Sequence, residues 1–167
     1  PSTSGLAWDP ENELIWGYCN ANVQDRNQGT IFAFDPAQGE VVAEYGGIEP
    51  HHQTLTYWEG LLYLQGNNRA PQTIFVYDLE GNEVERINTP FNVYFRYSTI
   101  GEWNGEAYFF IRGTSVRGGE GNDAVYVYTW PDFEEVARIQ DAAETGDQST
   151  TGIMWVPTDG DGQLWVD

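Results

Sequence analysis

The chain has 167 residues, 40% of them hydrophobic and 15% aromatic, enough apolar surface to fill a core and too much for a disordered chain. Its 26 Asp and Glu stand against seven basic residues, all arginine, for a formal charge of −19. Such a surface repels nucleic acid and anionic membranes, which are held by clustered positive charge, and no apolar run reaches the length of a membrane-spanning helix.

In chain order, the segment SGLAWDPENELIW from Ser4 reads as two apolar stretches around a polar turn, a hairpin of strands a and b. IFAFDPAQGEVVAEY from Ile31 follows as a second hairpin, strands c and d, turning after Asp35. The same pair recurs as TLTYWEGLLYL from Thr54 and IFVYDLEGNEVERIN from Ile74, then as TIGEWNGEAYFF from Thr99 and VYVYTWPDFEEVARI from Val125. The three c-d segments align without a gap, and the third departs at Thr129, where the others have Asp35 and Asp78. TGIMWVPTDGDGQLWV from Thr151 supplies one further a-b hairpin. Helical periodicity is almost absent; only 133–143 could hold a turn or two, and alignment gives most of it to strand d.

Trp8, Trp58, Trp103 and Trp155 recur every 45 to 52 residues and serve as phase markers for strand a. They are expected to be core residues packed between repeats rather than a sugar-stacking array or a membrane belt. Four antiparallel strands per repeat of about 40 to 50 residues define an all-β architecture of β-propeller blades. The boundaries predicted are 3–50, 51–97 and 98–148 for three full blades and 149–167 for a half blade, within a single propeller region 1–167. Closed propellers use about 4 to 8 blades. Three and a half do not close, so the expectation is a piece of a longer propeller, with an oligomer of open or irregular ring as the alternative. Neither of two paired copies offers the c and d strands that the other lacks.

Through GLAWDPENELIW, IFAFD and IFVYDLEGNEV the chain resembles the blades of NHL, gluconolactonase-type and quinoprotein-like propellers. The resemblance implies that b-to-c and d-to-a connections share one face of the ring and that the a-to-b and c-to-d hairpins share the other. Arg26, Arg69, Arg112 and Arg117 then fall in or beside b-to-c loops, and His51, His52, Tyr94 and Arg96 in or beside d-to-a connections. Guanidinium forks grouped with His and Tyr suit a carboxylate, a sulfate or an acidic sugar. Local pairing of those arginines with Asp25, Glu120 and Asp123 is the competing reading.

His51 and His52 are the only groups suited to acid-base work near neutral pH. The resemblance places them where propeller lyases and hydrolases carry catalytic or metal-binding histidines. Adjacent residues of an extended segment point to opposite sides, however, so both do not ligate one metal, and a structural role or simple exposure competes. Asp159 and Asp161 form a weak calcium candidate beside the plainer reading of a hairpin turn. No cofactor is otherwise expected, and no phosphate loop, paired metal-ligating cysteines or nucleophile elbow is present. The single Cys19 excludes an intrachain disulfide and is expected to be a small buried hydrophobe.

The functional expectation is a non-catalytic binding or scaffold module that receives a protein partner, the remaining blades, an anionic small molecule or an acidic sugar on the loop face. The alternative is a propeller lyase or lactonase acting on an acidic substrate with His51 or His52 as acid or base; a quinone-dependent dehydrogenase is weaker, since it needs a full ring. The acidity fits either a halophile, where a Debye length of about 3 Å at 1 M screens self-repulsion, or a secreted, cation-rich setting. Salt adaptation predicts an unfolding midpoint that climbs with KCl. The chain opens on Pro1 without a signal-peptide pattern, which marks a processed or excised product, and an extracellular, periplasmic or cell-surface location is favoured.

Overall fold

The computed structural model describes residues 2–20, 29–48, 54–65, 73–90, 94–114, 124–139, 153–156 and 162–166. Among these every regular element is a β-strand. The chain divides into two compact units, Pro1–Asn67 with Thr73–Asn88, and Asn68–Gln72 with Thr89–Asp167.

The first unit holds two antiparallel sheets. One is β1 (Ser2–Asp9), β2 (Leu14–Asn20), β3 (Gly29–Asp35) and β4 (Glu40–Ile48); the other is β5 (Thr54–Trp58), β6 (Leu61–Gln65), β7 (Thr73–Tyr77) and β8 (Glu83–Asn88). In both, spatial order equals chain order, the expected a-b-c-d meander. Period-2 alternation sends Trp16, Tyr18, Ile31 and Ala33 to one face of the first sheet, where they meet Leu55, Leu62, Leu64, Phe75 and Tyr77 of the second in one buried core. We call the face that the first sheet turns to the second its leading face, and the receiving face the trailing face. Gly81, at φ +81° in the second sheet's c-d turn, lies so close beneath Tyr45 that an added Cβ would fall 2.4 Å from its ring, so only glycine fits.

The second unit repeats the plan with β9 (Tyr94–Trp103), β10 (Glu106–Thr114), β11 (Val125–Thr129) and β12 (Glu135–Ile139), followed by the hairpin β13 (Ile153–Val156) and β14 (Gln163–Val166). Phe110, Val125 and Val127 of its leading face pack on Ile153, Trp155 and Leu164 of the hairpin. The Trp155 ring stacks on Phe110 at 5.1 Å and lies over Gly101, where a Cβ would sit 2.2 Å from the indole. A segment considered for a helical turn is strand β12 over Glu135–Ile139.

Register corrects two sequence readings. The c-d segments do not align without a gap: Phe34 pairs with Val41 and Tyr128 with Glu135, but Tyr77 pairs with Glu83, so the turn of the second sheet is one residue shorter. Glu44, Arg86 and Arg138 thereby become equivalent, opposite Phe32, Phe75 and Tyr126. The four tryptophans also do not share a phase. Trp58 and Trp103 alternate with Tyr57 and Glu102 and lie on leading faces, whereas Trp8 pairs with Ile15 and Trp155 with Leu164 on trailing faces. A one-residue offset reverses the face of a strand residue. Nor are all four core residues: Trp103 is 49% exposed and Trp8 is similarly open, while the buried indole of the first sheet is Trp16 on strand b. Cys19 is half-buried rather than buried.

Candidate binding end of the blades

An antiparallel meander puts the a-b and c-d turns at one end of each sheet and the b-c connection at the other. The turn end is short and tightly tied. Glu59-Gly60 and Asn104-Gly105 join their strands as two-residue turns with both residues at positive φ, the geometry that matches strand twist. Asp35 opens its c-d turn by accepting hydrogen bonds at Oδ1 from the amides of Ala37 (2.8 Å) and Gln38 (3.1 Å). Asp78 does the same for Glu80 (3.0 Å) and Asn82 (2.8 Å). These bonds, with those from the Gln38 and Asn82 side chains, hold both carboxyls below the ordinary carboxylate value. Thr129 substitutes for them in the third sheet: its Oγ1 accepts from the Glu134 amide at 3.0 Å. The departure in sequence thus preserves the turn's chemistry.

Asp9 ties the first a-b turn and is fully buried. Its Oδ1 accepts from the amides of Glu11 and Asn12, both at 3.0 Å, and its Oδ2 from Asn12 Nδ2 at 2.9 Å and the indole Nε1 of Trp16 at 3.2 Å. Burial alone would raise its pKa, but the hydrogen bonds together outweigh it and the carboxyl stays below 3.8. The neighbouring Tyr57 hydroxyl is buried beside the Asp9 carboxylate. Burial and then the Asp9 charge push it up to about 12.

The opposite end carries the longer connections, 21–28, 66–72 and 115–124 between strands b and c, and 49–53 and 140–152 between strand d and the next strand a. Arg26, Arg69, Arg117, His51 and His52 belong to these connections and lie outside the described residues, as do Asp159 and Asp161 of the last hairpin turn. The described backbone places Tyr94 and Arg96 at the start of β9 and Arg112 near the end of β10, on adjacent strands: Tyr94 pairs with Thr114 and Tyr97 with Arg112, with an irregularity in register beside Arg112. These three residues therefore lie toward the same end of one sheet.

The other two arginines are engaged in strand d. Arg86 Nη2 donates to Glu83 Oε2 at 2.9 Å and its guanidinium covers the Phe75 ring at 4.7 Å; Arg138 donates to Glu135 at 3.0 Å and covers Tyr126 at 4.4 Å. Local pairing thus accounts for the strand-d arginines.

Sequence reasoning passed over Gln65. It ends β6 at the long-connection end, opposite Thr54, and is 1% exposed, yet neither amide atom has a hydrogen-bond partner among the described residues. A buried amide left so costs about 1–3 kcal/mol and calls for a partner. The signal in the sequence is a polar residue closing the apolar run LLYLQ. Among the described residues no group of three His, Cys, Asp or Glu is placed to hold a metal.

No protein-family profile matches the chain and no curated protein matches it in sequence. Solved structures do. A crystal structure of the RRP9 WD40 repeats is similar with a TM-score of 0.51 at 10% identity, over 83% of this chain and 38% of that one. The Neurospora crassa Pan2 WD40 domain is similar with a TM-score of 0.50 at 13% identity, over 90% of this chain and 40% of that one. The sheets are β-propeller blades. The chain spans about 40% of the length of the propellers it matches, and at these identities the likeness concerns the fold.

Proposed function

We propose that the chain is a non-catalytic propeller module that receives a partner at the long-connection end of its blades, through an anionic group of that partner. One asymmetry carries the reading: hairpins such as 59–60 and 104–105 close one end, while connections such as 21–28, 66–72 and 115–124 leave the other. Binding groups concentrate on loops held by a rigid scaffold. Five of the seven arginines belong to that long-connection end, and the two on strand d are already occupied by Glu83 and Glu135. Guanidinium groups in so acidic a chain select a carboxylate or sulfate, and the Gln65 amide adds a neutral donor and acceptor at the same end of its sheet.

The test is a thermal shift with trigalacturonate and with sulfate at constant ionic strength, on the wild type and on R26E/R69E/R117E. Ligand at a hundred times its Kd stabilises by about 2.7 kcal/mol, or roughly 5–11 °C for a chain of this size. The wild type should shift and the triple variant should not. Equal shifts in both, or none in either, defeat the reading. The enzymatic alternative rests on His51 and His52: H51A/H52A would abolish turnover of a lactone or an acidic polysaccharide while leaving binding by a scaffold intact.

A further inference from the structure

The last residue of β6 is a buried amide that the fold leaves unused. Gln65 is 1% exposed, and neither Oε1 nor Nε2 has a hydrogen-bond partner among the described residues. It pairs across the strands with Thr54, and Tyr63 pairs with Thr56 two positions along, so alternation puts these four side chains on one face. Thr54 and Thr56 are buried as well, but each makes an interaction of its own. The other face of the same two strands carries Leu55, Leu62 and Leu64, all in the apolar core. An apolar side chain at position 65 would be buried without leaving a donor and an acceptor unpaired, so folding gains nothing from the amide. Residues that oppose folding in this way concentrate at functional sites.

The chemistry of the amide says what it can receive. Nε2 donates hydrogen bonds and Oε1 accepts them. A sulfate or a bare carboxylate only accepts, which serves Nε2 and leaves Oε1 facing negative charge. A carboxylate beside a hydroxyl serves both atoms: its oxygen accepts from Nε2, and the hydroxyl donates to Oε1. A sugar acid fixes those two groups next to each other on a ring, so they are ordered at less cost than the flexible side chain of an acidic peptide.

We propose that Gln65 is the specificity-determining residue at the long-connection end of the second sheet, and that it selects a sugar acid with a free hydroxyl beside its carboxylate. This rests on the reading that the arginines of that end hold an anion: they supply affinity for the charge, and Gln65 chooses among anions. Sites built to hydrogen-bond a hydroxyl reject analogues that lack it far more strongly than apolar pockets reject an added methylene. Because the amide is so fully buried, a ligand reaches it only when its surroundings part, so association is slower than at an open surface.

The experiment measures the Tm of the full chain and its affinity, by calorimetry at constant ionic strength, for trigalacturonate, triglutamate and sulfate. The proteins are the wild type, Q65M, Q65L and R26E/R69E/R117E. Without ligand, Q65M and Q65L should melt at or above the wild type, since an unpartnered amide gives way to an apolar side chain. Both should bind trigalacturonate about tenfold or more weakly, the loss expected for a hydrogen bond to a charged group, with the response to sulfate unchanged. The wild type should prefer trigalacturonate to triglutamate, and Q65M should lose that preference. Two variants that melt well below the wild type or fail to fold would make the amide structural and overturn the proposal. So would Q65M binding trigalacturonate like the wild type, or a wild type that binds triglutamate equally well. Trigalacturonate binding lost in the triple arginine variant but kept in Q65M would leave the arginine reading standing and remove Gln65 from it; a wild type that binds neither trigalacturonate nor sulfate overturns both.

Discussion

Replacing Asp9 by alanine removes one carboxylate and four hydrogen bonds at once, and the consequence can be worked out donor by donor. The amides of Glu11 and Asn12 and the Asn12 side chain belong to exposed residues, so water can take over much of what they lose. The Trp16 indole cannot be served so easily, because Trp16 is buried and Asp9 Oδ2 is its acceptor at 3.2 Å. An orphaned buried donor costs about 1–3 kcal/mol, and loss of the charge-assisted turn adds about 1–2 kcal/mol. Relief of the buried charge returns part of this. The net expectation is a destabilisation of about 3 kcal/mol, or roughly 6–12 °C in Tm. Thermal melts of wild type, D9A, W16F and D9A/W16F at neutral pH form a double-mutant cycle in which Asp9–Trp16 coupling should be about 1 kcal/mol or more. The folded Asp9 carboxyl lies below 3.8, so its contribution is present above that value and is lost as pH falls through the lowered folded value. The gap between wild type and D9A must therefore narrow in acid. A D9A variant within about 0.5 kcal/mol of wild type, or a gap independent of pH, would refute the reasoning.

Three further outcomes are expected. Gly101→Ala places a methyl group 2.2 Å from the Trp155 ring and should cost about 1–3 kcal/mol by overpacking, read as a lower Tm and an altered near-ultraviolet tryptophan signal. Tyr63 and Tyr128 are pushed up to about 12, in each case by burial first and then by glutamate charge, from Glu59 and Glu135 respectively. Their stabilising contribution is complete below the ordinary value of 10.0 and disappears as pH rises through about 12, so an absorbance titration should show tyrosines that ionise only as the chain unfolds in alkali. If Asp159 and Asp161 hold calcium, millimolar calcium raises the Tm of the wild type but not of D159N/D161N; no response in the wild type leaves the plain hairpin turn.

Legibility in the sequence followed the physics of each feature. Hairpins were readable because turn chemistry is local: Asp35, Asp78 and the Asn104-Gly105 pair announce their turns whatever surrounds them. Blade architecture was readable because it repeats. Phase was not. Trp8 and Trp58 look equivalent in one dimension, but a strand's two faces differ by a single residue, and only pairing partners reveal that Trp8 shares a face with Leu6 and Trp58 with Thr56. The one-residue difference between c-d turns was hidden for the same reason, since EVVAE and EVERI both open on Glu-Val while pairing one position apart. Gln65 was missed because its interest lies in burial without a partner among the described residues, which no local pattern encodes.

Correcting the register has a functional consequence as well as a geometric one. With the gap restored, strand d carries Arg86 and Arg138 opposite Phe75 and Tyr126, but Glu44 opposite Phe32. Each arginine covers an aromatic ring on the trailing face of its sheet and pairs with a glutamate three residues earlier, a contact that exposed ion pairs make worth only about 0–1 kcal/mol but that keeps the ring out of water. The first sheet has no such cover: Phe32 lies against Gly17 instead, and Val41 replaces the glutamate. The sheet that exposes Leu6 and Trp8 is therefore the one that lacks the guanidinium lid. Introducing that lid as V41E/E44R supplies the missing Glu-Arg pair without touching Trp8. This variant should melt within about 1 kcal/mol of the wild type, because an exposed ion pair contributes about 0–1 kcal/mol, and a thermal melt checks it. A loss of several kcal/mol would show that Val41 and Glu44 are held by contacts other than those of the strand pairing.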